Sequence, residues 1–162
     1  MSGVRVKIDR KTLNFNGAMV DALKNAMKLS MTHLEGQVKK KTPVNFGHLQ
    51  SGIVGHTRSP FHGEIAATMP GKVYIEYVEE GRKPGKMPPY KDGSALFLWV
   101  KRKLKLSGSE LINASFLIAR AIGKPGTKAV HMFKLTEQQE ENKVQRIFRQ
   151  AIKKAERKTS DG

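Results

Sequence analysis

The chain contains no cysteine. That excludes disulfides and thiolate metal sites, and it fits folding in a reducing compartment. Acidic residues are scarce: 14 Asp and Glu stand against 30 Lys and Arg, for a formal net charge of +16. Aromatic residues make up only 7% of the chain, too few for the aromatic-rich strands of a nucleic-acid stacking platform. No run approaches the roughly 18 apolar residues of a membrane span. Met1 to Arg10 lacks the apolar core of a signal peptide. The expectation is a soluble chain with no membrane partner.

At 162 residues the chain suits one domain, 1–162, with a genuine core. The ends, 1–12 and 156–162, read as flexible. The positive excess favours a polyanionic or acidic partner over a merely self-repelling surface.

From Ala18 the apolar pattern is helical. Met19, Leu23, Ala26, Met27, Ser30, Leu34 and Val38 recur at spacings of three and four, which is one helix face. Asn16 reads as its N-cap, and Lys39, Lys40 and Lys41 place cations at the negative end of the helix dipole. Pro43 fixes its own φ and drives Thr42 out of the helical region, so the helix must stop there. Asn45 and Gly47 then suit a tight turn, and Leu49, Ser51 and Ile53 alternate as a strand would. Three strands are expected, at about Ser51–Thr57, Gly63–Thr68 and Lys72–Val78, with turns at Ser59-Pro60 and Pro70-Gly71. Earlier, Val4, Val6 and Ile8 alternate weakly, as a short strand or an arm ordered only in an assembly.

Gly81 to Gly93 reads as a protruding loop rich in Gly, Pro and Lys, and loops of this length are usually functional. Ser94 caps a short helix over Ala95 to Leu104, and Ser107-Gly108-Ser109 breaks it. A second apolar helix spans Leu111 to Ile122 with Gly123 as its C′ residue. Gly123 to Lys128 makes a turn and Ala129 to Phe133 an extended piece. Thr136 with Gln139 predicts a capping box for the last helix. There Val144, Ile147, Phe148, Ala151, Ile152 and Ala155 share one face, opposite Lys143, Arg146, Arg149, Lys153 and Arg157. The order of elements predicts an α+β domain: a small antiparallel meander packed by the long N-terminal helix, with further helices in the C-terminal half.

Catalytic constellations are missing. His33, His48, His56, His62 and His131 form no pair at metal-ligand spacing. Gly81 to Met87 and Gly123 to Lys128 superficially match phosphate loops, but the Lys-Thr order and spacing fail. Glu76, Glu79 and Glu80 lack an accompanying nucleophile or histidine. Glu79 reads as structural, pairing with a basic group or capping the loop. No enzyme activity, metal or cofactor is expected. The candidate contacts for DNA or an acidic protein are Lys39, Lys40, Lys41, Lys101, Arg102, Lys103, Lys105, Arg146, Arg149 and Lys153.

The corner T-P-V-N-F-G-H-L-Q-S and the later segment Tyr74-Ile75-Glu76-Tyr77-Val78-Glu79-Glu80-Gly81 resemble the neck and tail-completion family of long-tailed bacteriophages. That family carries T-P-V-D-T-G-x-L-R-x-S and Y-A-x-Y-V-E-x-G-T at these places. Here Asn45-Phe46 stand for Asp-Thr, Gln50 for Arg and Arg82 for Thr. The initial helix, the Pro-rich loop, the Trp99-Val-x-x-Lys103 helix and the Gly-Thr turn follow in family order. The resemblance implies a virion structural protein made in the bacterial cytoplasm and placed at the neck or head-proximal tail end. It would act as a head-tail connector, tail-completion or tail-terminator protein. It implies a ring, commonly hexameric, around the DNA channel, meeting head-completion and tail proteins and, by non-specific electrostatics, packaged DNA. Thr42, Pro43, Val44, Gly47, Leu49 and Ser51 would form the structural corner. Glu79, Gly81, Arg82, Lys83, Pro84, Lys86, Pro88 and Pro89 would form the subunit-contact loop. The rival reading is a small basic protein that binds nucleic acid without sequence preference.

Overall fold

The computed structural model describes residues 3–8, 17–44, 47–68 and 75–160. In chain order the elements are β1 (Val4–Lys7), α1 (Gly17–Lys41), α2 (His48–Gly52), β2 (Ile53–Ser59), β3 (His62–Ala67), α3 (Ile75–Glu79), α4 (Ala95–Leu104), α5 (Gly108–Gly123) and α6 (Met132–Ser160). The class is α+β, as expected. The chain divides into two compact units where one domain was expected. The first comprises residues 1–79 and 130–162, the second residues 80–129.

The first unit holds the sheet, in the order β1-β3-β2, antiparallel throughout. Strands β2 and β3 form the expected hairpin, with an irregular register between Thr57 and Ser59. The third strand is not Lys72–Val78. Residues 75–79 are helical, residues 69–74 lie outside the described set, and β1 takes the place beside β3. The β-rich spelling of Ile75-Glu76-Tyr77-Val78 misleads because propensity yields to packing. Ile75 and Glu79 are both buried four residues apart, a helical spacing.

The α1 stripe is buried as its periodicity requires, with Met31 added to the expected set. Leu23, Met27, Leu34 and Val38 are wholly buried, each contributing about 1.5–3 kcal/mol of transfer free energy. This face rests on the sheet close enough that a Cβ at Gly63 would meet the sulfurs of Met27 and Met31 at 2.7 and 2.6 Å. Helix α6 packs along α1 and adds Val144, Phe148 and Ala155 to the same core. Glu140 on α6 accepts from His33 on α1 at 2.7 Å.

Helix α6 begins at Met132, so the predicted capping box is absent. Thr136 is fully buried one turn inside the helix, and its hydroxyl donates back to the Met132 carbonyl at 2.7 Å. Phe133 is helical, not extended. Residues 4–7 form a strand, one of the two readings of that segment, and the last helix runs to Ser160. The Asn16 cap lies outside the described residues.

The second unit contains α4 and α5 packed together through Phe97, Val100 and Leu111, with Leu96, Trp99, Leu106, Ala114 and Ile118 around them. Ser94 caps α4 as expected, accepting from the Phe97 N–H at 3.3 Å. Helix α5 starts at Gly108, and Gly123 is its last buried turn, not a C′ residue.

Candidate functional site

Helix α1 stops before Pro43, as expected, but the strand expected from Leu49 does not begin there. Helix α1 ends at Lys41, and the Thr42 N–H closes a tight turn onto Lys39 O at 3.2 Å. The Thr42 hydroxyl donates to Val38 O at 2.7 Å and lies 3.3 Å from the Met132 sulfur, pinning the end of α1 to the start of α6. The Gln50 side chain donates to the same Lys39 O at 3.0 Å, a second bond to that terminal carbonyl. Gly47 has φ of 79°, a left-handed value, and precedes α2. Leu49 is buried, Ser51 exposed, and the Ser51 N–H bonds Gly47 O at 2.8 Å. Leu49 and Ser51 are thus helical, and the strand starts only at Ile53. Pro43 and Val44 are exposed, Val44 by 66%. Asn45 and Phe46 lie outside the described residues.

Glu79 belongs to the body, not to the loop. It is 4% exposed, and its two carboxylate oxygens accept from Phe133 N–H and Lys134 N–H, each at 3.1 Å. These are among the first, otherwise unpaired donors of α6, so Glu79 caps that helix from 54 residues away. The residue before the helix, His131, has no short oxygen-bearing side chain and adopts φ of 53°, a strained value for a non-glycine. Its N–H bonds Glu79 O at 3.2 Å and Val130 N–H bonds Val78 O at 2.9 Å, which hold the strained residue in place. From sequence alone Glu79 reads as structural and as part of the contact loop, and Thr136 as the cap of the last helix. The available signal was negative: no Ser, Thr, Asp or Asn precedes Met132.

The Pro-rich loop is tied to the turn after α5. Arg82 and Thr127 exchange both backbone hydrogen bonds at 3.0 Å, and Gly85 N–H bonds Gly123 O at 2.8 Å. Gly81 and Gly126 flank this clasp with φ of 75° and 78°. A Cβ at Gly126 would fall on the Arg82 carbonyl oxygen, and one at Gly81 on the Thr127 carbonyl oxygen. Tyr90 packs edge-on against Phe116 of α5, with ring centroids 5.4 Å apart. Lys83, Pro84, Lys86 and Pro89 are exposed, Arg82 and Pro88 half-buried.

Within the first unit the basic candidates fall at separate places. Lys39 pairs with Glu35 at 2.5 Å and Lys40 is exposed. Burial pushes the Glu35 carboxyl up, but the Lys39 ammonium and the Gly55 N–H together hold it below its usual range. Arg146, Arg149 and Lys153 line the exposed side of α6. Thr42 meets Met132, so residues 39–41 lie near the start of α6, roughly 20 Å along that helix from Arg146. Lys101, Arg102, Lys103 and Lys105 are exposed at the end of α4 in the second unit. The charge is shared between the two units, with a net of +8 in each.

Among the described residues no cluster of histidine and carboxylate side chains could hold a metal. No helix among them is long and apolar enough to cross a membrane. Comparison with protein-family models, curated proteins and solved structures found no match to this chain.

Proposed function

We propose that this chain is a bacteriophage virion structural protein of the head–tail junction, assembling as a ring around the DNA channel. The observation that carries the reading is the ordered motif resemblance. The motif residues also have distinct architectural duties. Thr42 and Gly47 set the corner, Glu79 caps α6, and Gly81 forms the loop clasp. Residues retained for such duties would preserve a subunit body while surfaces vary with their neighbours. The spread of positive charge supports a place beside packaged DNA or acidic proteins. The rival reading, a basic nucleic-acid-binding protein acting alone, is favoured by the +16 charge itself.

Deletion of the gene from the phage genome tests the function. The reading expects heads and tails that accumulate unjoined, or tails with defective ends. Normal infectious particles would end it. A chain that stays monomeric and shifts short duplex DNA at physiological salt would favour the rival.

A further inference from the structure

Helix α5 is apolar nearly all round: Gly108 to Gly123 contains only Glu110 and Arg120 as charged residues. Such helices are normally enclosed. Here one side packs on α4 through Leu111, with Ala114 and Ile118 beside it, while Ile112, Phe116 and Leu117 remain 57%, 37% and 60% exposed. Their positions, at i, i+4 and i+5, place them on the side away from that seam. Exposure of this kind is concentrated. Among the described residues, six of the ten large exposed hydrophobic side chains lie in the second unit, which spans 50 residues. Beside Ile112 opens a groove of about 440 Å³ whose walls include Tyr90, Phe97 and Leu111 together with Lys91, Lys101 and one acid, Asp92.

The charge around this surface identifies what covers it. The second unit holds eleven Lys and Arg against three acids, a net of +8. A second copy of the same face would bring +8 against +8. Duplex DNA would satisfy the lysines but leave Ile112 and Leu117 wet, since phosphate contacts need no aliphatic stripe. An interfacial membrane helix carries Lys and Arg along its own polar face, and α5 has no lysine at all.

We propose that the exposed α5 face and its adjoining groove dock an acidic amphipathic segment of a different protein. Its apolar side chains would cover Ile112, Phe116 and Leu117, and its carboxylates would meet Lys91, Lys101 and Arg120. This deepens the assembly reading by naming the surface on which a neighbour is met, and it rests on that reading only for the neighbour's setting.

The test uses the purified full-length chain and a fluorescent helical peptide of about 18 residues, with leucines at i, i+3, i+4 and i+7 and glutamates elsewhere. Controls are a scrambled peptide of the same composition and a lysine-for-glutamate version. The striped acidic peptide is expected to bind about 10-fold more tightly than the scrambled one, and the lysine version not at all. Ile112→Ser with Leu117→Ser should weaken binding about 10-fold while circular dichroism stays unchanged. Lys101→Glu should weaken it and flatten its salt dependence. Equal binding of striped and scrambled peptides, no binding, or insensitivity to the serine pair would overturn the proposal. So would equal protection of the face by anionic phospholipid vesicles, or loss of self-association as the main effect of the serine pair in sedimentation equilibrium. Because no ring or phage enters the assay, its failure leaves the neck reading standing, and failure of the neck reading leaves this surface standing.

Discussion

Removing the Glu79 carboxylate should destabilise the first unit more than any other single acidic substitution in the chain. Glu79→Ala leaves the Phe133 and Lys134 N–H groups without their acceptors, and the first of these bonds is buried. An unpaired buried donor costs about 1–3 kcal/mol, and loss of a helix cap about 0.5–2 kcal/mol. These terms describe partly the same bonds, so the expected loss is about 2–4 kcal/mol. For a domain of this size that is a fall in Tm of roughly 5–15 °C. Glu79→Gln keeps one acceptor oxygen but loses the charge that favours a helix N-terminus, so about half the loss is expected. Glu80→Ala is the control, because Glu80 is exposed one residue away. Urea unfolding followed by far-ultraviolet circular dichroism reads all three. If Glu79→Ala unfolds within about 0.5 kcal/mol of the wild type, the remote cap contributes nothing and the account of α6 is wrong.

Four further outcomes follow from the same geometry. His131→Gly should stabilise the fold by about 1 kcal/mol, because glycine adopts φ of 53° without strain; a fall in Tm would show that the imidazole matters more than the backbone. Gly47→Val should cost about 1–3 kcal/mol at φ of 79°, with Gly47→Ala milder, and melts matching wild type would remove the claimed corner. The Glu140 carboxyl is held below its usual value of 4.5 by the hydrogen bond from His33, so its contribution is present above about pH 4.5 and lost as pH falls further. Glu140→Gln should therefore lower Tm at pH 7, by no more than about 1 kcal/mol equivalent, and the gap should close toward pH 3; a constant gap refutes the linkage. Affinity for duplex DNA should fall steeply between low and physiological salt and hardly vary with base sequence, and a strong preference for one site in a binding titration would contradict the spread charge.

Much of the fold was legible because local rules and tertiary demands agree there. The α1 stripe, the Pro43 stop, the Ser94 cap and the apolar face of α6 each follow from spacing or covalent geometry. The misreadings fall where a distant residue decides. Ile75–Glu79 spells a strand, yet Glu79 is wanted at the start of α6, and a helical turn brings Ile75 and Glu79 to the same buried side. Thr136 looks like a cap, but the true cap lies far back in sequence, so the helix extends through Met132 and Phe133. Of the candidate site residues, spacing could find the glycines and the cations. It could not show that Gly81 and Gly126 oppose each other across the Arg82–Thr127 clasp, because that pairing closes a loop of more than forty residues. The exposed α5 stripe is not legible in the sequence, since periodicity cannot say which side of an apolar helix is covered.

The most direct test of ring assembly is negative-stain electron microscopy of the purified full-length chain across a range of concentrations and salt. The account predicts closed rings of one diameter with a central opening wide enough for duplex DNA, which is about 20 Å across by the geometry of its grooves. Monomers at every concentration, or open filaments of variable length, would contradict it.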